Sequence, residues 1–412
     1  MSRILLIVLD GLADRQHPEL DGRTPLEAAA TPNLDALAAA GATGTMHAIS
    51  PGIAPSSDQA HFALFGYPPD EFPGRGWLEA VGEGHDPGPG PVVCRASFVK
   101  VEERGGVFEV EGREDPRGGA DDLGEVDLDV EVGGVDIRYT YSGARQGFVF
   151  LEGVDLPLSP EVTDADPFGT GLPVVEVQPL ADARDFEAAA RTATSLNAWM
   201  VGAHRRLAGR PHDFVVVKWA GQERALQPFK ERYGLAGASL GSGPLYRGLA
   251  QAVGLEHEEV GEDLTRPADD LGRRLDRAME LLAGGRDFVH VHTKVPDHAA
   301  HTKDPRHKVE QIEQLDSACE RLTRARPWEE DIVVAVTADH ATPSSGPLIH
   351  SGEAVPLVMI GGAAGRDDIT AFGEWACRGG WLGQLAGADL MPLPTPWRSS
   401  STRRPLPVNR IW

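Results

Sequence analysis

Three segments far apart in the chain each end a hydrophobic run with residue types that bind metals: Leu5–Gly11 (LLIVLDG), Val289–His301 (VHVHTKVPDHAAH) and Val333–His340 (VVAVTADH). A fourth, Ile349-His350-Ser351-Gly352, supplies an imidazole just before the apolar run VPLVMI at Val355–Ile360. Asp297 and His301 are four apart and would share one face of a helical turn, whereas the adjacent Asp339 and His340 suit a strand end or turn. Asp10, Asp297, Asp339, His301, His340 and His350 together exceed what one tetrahedral site requires and suffice for two divalent ions. Mixed Asp/His ligation without cysteine suits manganese first, with zinc or cobalt as alternatives, and suits an all-magnesium site less well. A nucleophile is available in Pro55–His61 (PSSDQAH). A serine hydroxyl attacks poorly at neutral pH until a base or metal lowers its pKa, which Ser57 held on one of the ions would satisfy. Ser56 is its rival, and either serine could instead end a helix. Asp10 before Gly11 could, by itself, be only a turn.

The elements that must position these groups follow from apolar patterning. RILLIVL, DFVHVHT, DIVVAV and VPLVMI are short, β-branched and apolar on both faces, as expected of strands buried in a largely parallel sheet. Between them lie helical patterns such as Thr31–Ala40, with Pro32 in its first turn, and Lys308–Leu322, whose Ile312, Leu315, Cys319 and Leu322 fall on one face. The expectation is an α/β core of parallel strands flanked by helices, with the active site outside the carboxyl ends of the strands. His290 and His292 read as one face of a strand and His298 as a neighbour, not as ligands. From about residue 91 to 210 the character changes: after the Gly/Pro-rich HDPGPGP come alternating stretches such as VFEVEG and VDLDVEVGGVDIRYTY, which read as antiparallel strands joined at glycine turns. The expected division is therefore a core formed by 1–90 and 211–412, with 91–210 inserted as an α+β cap. The segment Arg398–Trp412 reads as a loosely packed tail.

At 412 residues the chain is long enough for two domains. Its formal net charge of −23 argues against a nucleic-acid surface, which would need clustered Lys and Arg. No stretch approaches the ~18 apolar residues of a membrane span, and Ile4–Leu9 is too short for a signal-peptide core. Cys94, Cys319 and Cys377 are few and lack metal-site spacing, as expected of reduced thiols in a cytoplasmic protein.

The motifs taken together resemble the archaeal-type, cofactor-independent phosphoglycerate mutases of the alkaline phosphatase superfamily. The likeness begins at VLDGLADR (Val8–Arg15) and RTPLEAAATPNLDALAAAG (Arg23–Gly41), and continues through ISPGIAPSSDQAHFALFGYPP (Ile49–Pro69) and GRGWLEAVG (Gly74–Gly82). It returns at ERYGLAGASLGSGPLYRGLAQAVGLE (Glu231–Glu256), the Asp297/His301 segment, TADHATP (Thr337–Pro343), HSGEAVPLVM (His350–Met359) and GADLMPL (Gly387–Leu393). The resemblance implies one metal on Asp297, His301 and His350, and a second on Asp10, Ser57, Asp339 and His340. It also implies that Ser57, rather than Ser56, takes the phosphoryl group from a small phosphorylated acid and returns it to a different oxygen, with no bisphosphorylated cofactor. Asp58, His61, Arg75, Arg145, Asp166, Lys218 and Arg247 are the substrate contacts it suggests. The cap departs from the family pattern: Glu152 stands where an arginine is expected, Phe168 ends the motif Asp164–Phe168 in place of histidine, and Lys218-Trp219 replaces Arg-Gly. Gly112–Arg117 and Ala300–Lys303 also read differently. The leading expectation is interconversion of 2- and 3-phosphoglycerate; the alternatives are a related phosphoesterase or phosphomutase with a retuned cap, and a catalytically silent metal-binding protein.

Overall fold

The computed structural model describes residues 3–113, 123–391 and 393. The chain divides into two compact units, one formed by 1–69, 233–240 and 262–412, the other by 70–232 and 241–261. The tail Arg398–Trp412 lies outside the described residues, as does most of the Gly112–Arg117 motif.

In the first unit the four apolar runs become strands Arg3–Leu9, Phe288–Thr293, Ile332–Thr337 and Val355–Ile360, almost every residue of them buried. Across the sheet, neighbours run Gly237–Gly241, Phe288–Thr293, Arg3–Leu9, Ile332–Thr337, Val355–Ile360, Ala42–His47 and Gly383–Ala386. The central strand is parallel to both neighbours, with Leu6 opposite His290 on one side and Ala335 on the other. VPLVMI corrects the parallel expectation: it runs antiparallel to Ile332–Thr337 and to Ala42–His47, with Val336 opposite Val358 and Val358 opposite Thr43. The segment between the two strands has no crossover helix, so the chain comes back beside the strand it has just left. That reversal brings His350, just before the strand, to the edge where the parallel strands end.

The expected helices form as Pro32–Ala40 and Pro305–Ala325. Ile312, Leu315, Cys319 and Leu322 are the buried stripe of the longer one. Its Asp316 reaches the start of the shorter helix, accepting from the backbone N–H of Asn33 at 3.0 Å and Leu34 at 2.7 Å, where the helix dipole favours a carboxylate. Among the described residues no helix is long and apolar enough to cross a membrane.

The second unit is built on strand Val92–Arg104, paired antiparallel with Gln146–Gly153, Val107–Gly112 and Phe214–Gln222. Glycine turns at Gly105-Gly106 and Gly133-Gly134, all with positive φ, close two of its hairpins. Helix Phe186–Arg206 covers the sheet and anchors Trp199, whose indole N–H donates to Leu128 O at 2.9 Å. The unit is larger than the 91–210 insertion expected: strand Phe214–Gln222 belongs to its sheet, and helix Arg75–Gly82 packs so closely that a Cβ on Gly76 would lie 2.4 Å from Trp219 O and 2.6 Å from Val93 O. Strand pairing, which the Gly/Pro-rich linker at 85–91 does not interrupt, decides the division.

A buried polar network ties the first unit together beneath the strand ends. Lys308 Nζ donates to Ala13 O, Thr342 O and Asp14 Oδ2 at 3.0, 2.8 and 3.1 Å. Glu374 extends it, accepting from Asp14 N at 3.1 Å and the Thr24 hydroxyl at 2.9 Å. Burial pushes the Glu374 carboxyl up to about 7, against the opposing hydrogen bonds. An acid that holds its proton more tightly when folded contributes fully below its unfolded value of 4.5 and loses that contribution as pH rises through about 7. Glu374→Gln should therefore raise the melting temperature relative to wild type more at pH ~8 than at pH ~5, by a differential on the order of 3 kcal/mol. Equal effects at both pH values in thermal unfolding would show that Glu374 folds already ionised.

Candidate metal centre

Each ligating candidate is delivered by the end of an element. Asp10 follows the central strand, and its backbone N–H donates to Thr293 O at 3.0 Å. Gly11 then turns with φ +64°, where a Cβ would lie 2.5 Å from Thr342 Oγ1 and 2.9 Å from Asp297 Cα. Its N–H, with that of His340, holds Asp339 Oδ1 at 3.0 and 2.9 Å. Asp297 and His301 lie on helix Val295–His301, with His301 Nε2 3.2 Å from Asp297 Oδ1. His350 Nε2 stands 3.6 Å from the same oxygen, and its ring stacks on that of His340 with centroids 3.7 Å apart.

The structure thus brings the six Asp and His residues into two adjoining groups, Asp297/His301/His350 and Asp10/Asp339/His340, each able to hold a metal ion. The second is buried throughout, whereas the His301 side chain is 37 % exposed. Ser57 opens helix Ser57–Leu64 and is buried, its Oγ 3.1 Å from His340 Nε2. Ser56 is the N-cap residue before it.

The electrostatics favour a cation. Burial and then the charge of Asp10 raise Asp339 well above the usual carboxylate range. Burial and Asp297 push Asp10 in the same direction, but the His292 hydrogen bond, Lys294 and His340 carry it below that range. Asp297 is also held low, because bonds from His301 and His350 and the nearby Lys294 outweigh its burial. Burial lowers His340 to about 3 and, aided by the neighbouring His292, lowers His61 to about 3, so both imidazoles are neutral and keep a lone pair at pH 7. Asp339 Oδ2 is buried and accepts no hydrogen bond among the described residues, while His340 Nε2 lies 3.2 Å from it and 3.4 Å from Asp10 Oδ1. A divalent ion fits this crowd of carboxylate oxygens and imidazole nitrogens.

Other expected residues fall elsewhere. His61 is fully buried, donating from Nδ1 to Ser57 O at 2.7 Å and standing 3.6 Å from Asp339 Oδ2, so it braces the turn that carries Ser57. Asp58 is buried in the first turn of the same helix. In the second unit the Asp166 carboxylate is buried between Arg113 and Lys218, the latter at 3.0 Å. Arg75 lies over the Trp219 ring at 3.8 Å and pairs with Glu79 at 2.8 Å; Arg247 pairs with Glu259 at 2.8 Å. Arg145 sits in a hairpin turn with φ +58°, and Glu152 is exposed opposite Asp136.

His292, set aside as a strand residue, donates from Nε2 to Asp10 Oδ2 at 2.9 Å, and its carbonyl is held by buried Arg274 at 2.8 Å. Strand alternation could have flagged it: a polar residue pointing into a sheet buried on both faces needs a partner. Lys294, 3.5 Å from Asp297 Oδ2, and Thr342 carried no sequence signal.

Asp339→Asn should raise the melting temperature of chelator-treated protein by removing the cost of burying this carboxyl beside Asp10, and should at the same time shrink the stabilisation gained on adding manganese. A lower melting temperature for the chelated variant than for chelated wild type would show that Asp339 is not under charge strain.

The chain matches the Metalloenzyme superfamily over residues 2–396. It is 37 % identical over 411 residues to a 2,3-bisphosphoglycerate-independent phosphoglycerate mutase of Methanopyrus kandleri, covering 94 % of each chain. A protein of the same name from Ignicoccus hospitalis is also 37 % identical, over 95 % of this chain and 96 % of that one. Among solved structures, a Pyrococcus horikoshii protein aligns with TM-score 0.72 and 28 % identity over 95 % of this chain and 96 % of its own. The cofactor-independent phosphoglycerate mutase of Thermoplasma acidophilum aligns with TM-score 0.63 and 28 % identity over 96 % and 99 %. With identity of this level running almost end to end, the chain belongs to the 2,3-bisphosphoglycerate-independent phosphoglycerate mutases of the metalloenzyme superfamily.

Proposed function

We infer that this enzyme interconverts 2-phosphoglycerate and 3-phosphoglycerate through a phosphoserine at Ser57, at a centre that takes two divalent ions. The observation that carries the reading is the buried Ser57 hydroxyl, 3.1 Å from Nε2 of His340 in the Asp10/Asp339/His340 group. Asp297, His301 and His350 would hold one ion, and Asp10, Asp339 and His340, with Ser57, the other; manganese suits the mixed oxygen and nitrogen donors. Bound divalent ions supply Lewis acidity that lowers the hydroxyl pKa of Ser57 and offsets phosphoryl charge.

The chain's own residues do the rest. Ser57, at the first turn of its helix, has backbone N–H groups around it that favour negative charge on its oxygen. In the first half-reaction Ser57 Oγ gives up its hydroxyl proton and bonds to phosphorus, the bond from phosphorus to the glycerate oxygen breaks, and that oxygen gains a proton. The second half-reaction reverses this at the other glycerate hydroxyl, which loses its proton. His61 fixes Ser57 from behind through its backbone carbonyl. Arg75, Arg145, Lys218 and Arg247 are proposed to recognise the carboxylate and phosphate of the substrate, with Arg75 and Lys218 set against Trp219 at 3.8 and 4.6 Å. An apolar Phe168 and an acidic Glu152 in a phosphoglycerate enzyme place the burden of recognition on these cations.

Ser57→Ala should lower turnover in an enolase-coupled assay by about four orders of magnitude or more while leaving folding intact. Substantial residual activity would remove Ser57 from the chemistry. Alanine at Arg75 or Lys218 should raise KM for 3-phosphoglycerate by roughly tenfold or more, the worth of a charge-assisted hydrogen bond. A wild type that releases phosphate from generic monoesters but fails the coupled assay would favour a phosphoesterase with a retuned cap.

A further inference from the structure

Thr342 stands where the two ligand groups meet. Its hydroxyl lies 2.9 Å from Asp297 Oδ1 in one group and 3.1 Å from His340 Nδ1 in the other. A hydroxyl has one hydrogen and two lone pairs. The hydroxyl donates to the Asp297 carboxylate oxygen, so the single hydrogen of Thr342 is committed there. The contact with His340 must then run the other way, from Nδ1–H to Thr342 Oγ1. That places the His340 lone pair on Nε2, the atom facing Ser57, Asp10 and Asp339.

The position of the hydroxyl is fixed on every side. Thr342 N–H donates to Ala13 O at 2.9 Å, and its carbonyl accepts from the buried Lys308 at 2.8 Å. Gly11 leaves no room for the side chain to shift, since even a Cβ there would approach Thr342 Oγ1 to 2.5 Å. Lys308 therefore clamps the Ala13 and Thr342 loops to each other, and the Thr342 hydroxyl points from that clamp into both groups.

We propose that Thr342 is a positioning residue that couples the two metal groups through one hydroxyl, orienting the Asp297 carboxylate while selecting the His340 tautomer that can ligate. The inference rests on the metal-centre reading above and deepens it. Hydrogen-bond partners behind metal ligands of this kind typically govern affinity by about 10- to 100-fold. A valine at this position keeps the branched shape and loses only the hydrogen bonds; a serine keeps the hydroxyl and loses a methyl.

The test is manganese titration by calorimetry of chelator-stripped wild type, Thr342→Ser and Thr342→Val, with melting temperatures of the stripped proteins and heteronuclear imidazole NMR of wild type. The expected result is weaker binding at both steps in Thr342→Val by about 10- to 100-fold, affinity restored in Thr342→Ser, similar metal-free melting temperatures, and a proton on Nδ1 of His340. Wild-type affinity in Thr342→Val, or equal losses in both variants, overturns the inference and leaves the proposed activity standing. A proton on Nε2 of metal-free His340 overturns it without any variant, which decides the matter should Thr342→Val fail to fold. A wild type that takes up no manganese overturns the metal-centre reading, and this inference with it.

Discussion

Three carboxylates buried in one place are the constraint around which the first unit is arranged. Asp297 pushes the pKa of Asp10 up, Asp10 and Asp297 push that of Asp339 up, and burial opposes ionisation of all three, although hydrogen bonds and Lys294 hold Asp10 and Asp297 low. Isolated charges in a protein interior are costly unless paired or bound to a cation. The structure meets part of that cost with neutral imidazoles, with Lys294, and with the backbone N–H groups of Gly11 and His340. The negative potential that remains, and the oxygen and nitrogen donors around it, suit a divalent cation. The same interactions that would otherwise weaken the fold give the enzyme its affinity for metal.

Holding such a cluster still requires rigid supports, and these are visible at each ligand. Asp10 is steadied by His292, which is itself fixed through its carbonyl by Arg274 paired to Asp270. Asp339 is gripped by two backbone N–H groups, and Asp297 and His340 share Thr342. Lys308, buried to the last atom, spans the loops that carry these groups. The second unit is tuned separately. Trp219 and Phe168 both adopt φ +57°, a conformation costly for bulky residues, and their rings lie 6.2 Å apart beside Lys218. The strained backbone there brings both rings to the Lys218 ammonium, Phe168 at 5.2 Å and Trp219 at 4.6 Å.

Much of the core could be read directly from residue order. Apolar runs of four to eight residues with β-branched side chains announced the strands, and the Asp and His just beyond them announced the candidate ligand groups, because ligands in such sheets are carried at strand ends. The i, i+4 spacing of Asp297 and His301 is a helical property and survived intact. Glycine pairs marked the hairpins of the second unit, since their left-handed turns exclude other residues.

What local pattern could not carry was anything depending on chain direction or on partners distant in sequence. The antiparallel sense of Val355–Ile360, on which the delivery of His350 depends, follows from how the chain returns after Thr337 and leaves no trace in the strand's own residues. The membership of Phe214–Gln222 in the second sheet is likewise a matter of pairing across more than a hundred residues. Nor could sequence show which polar groups pair with which: Asp166 meets Lys218, and His61 donates to the Ser57 carbonyl. The sequence by itself determined which elements form and which chemical groups stand at their ends, because hydrophobic periodicity and turn preference act over a few residues. Tertiary structure alone decided which of those groups meet, at what distance and in which protonation state, because burial and Coulomb interaction act through space between residues as far apart as Asp10 and Asp339.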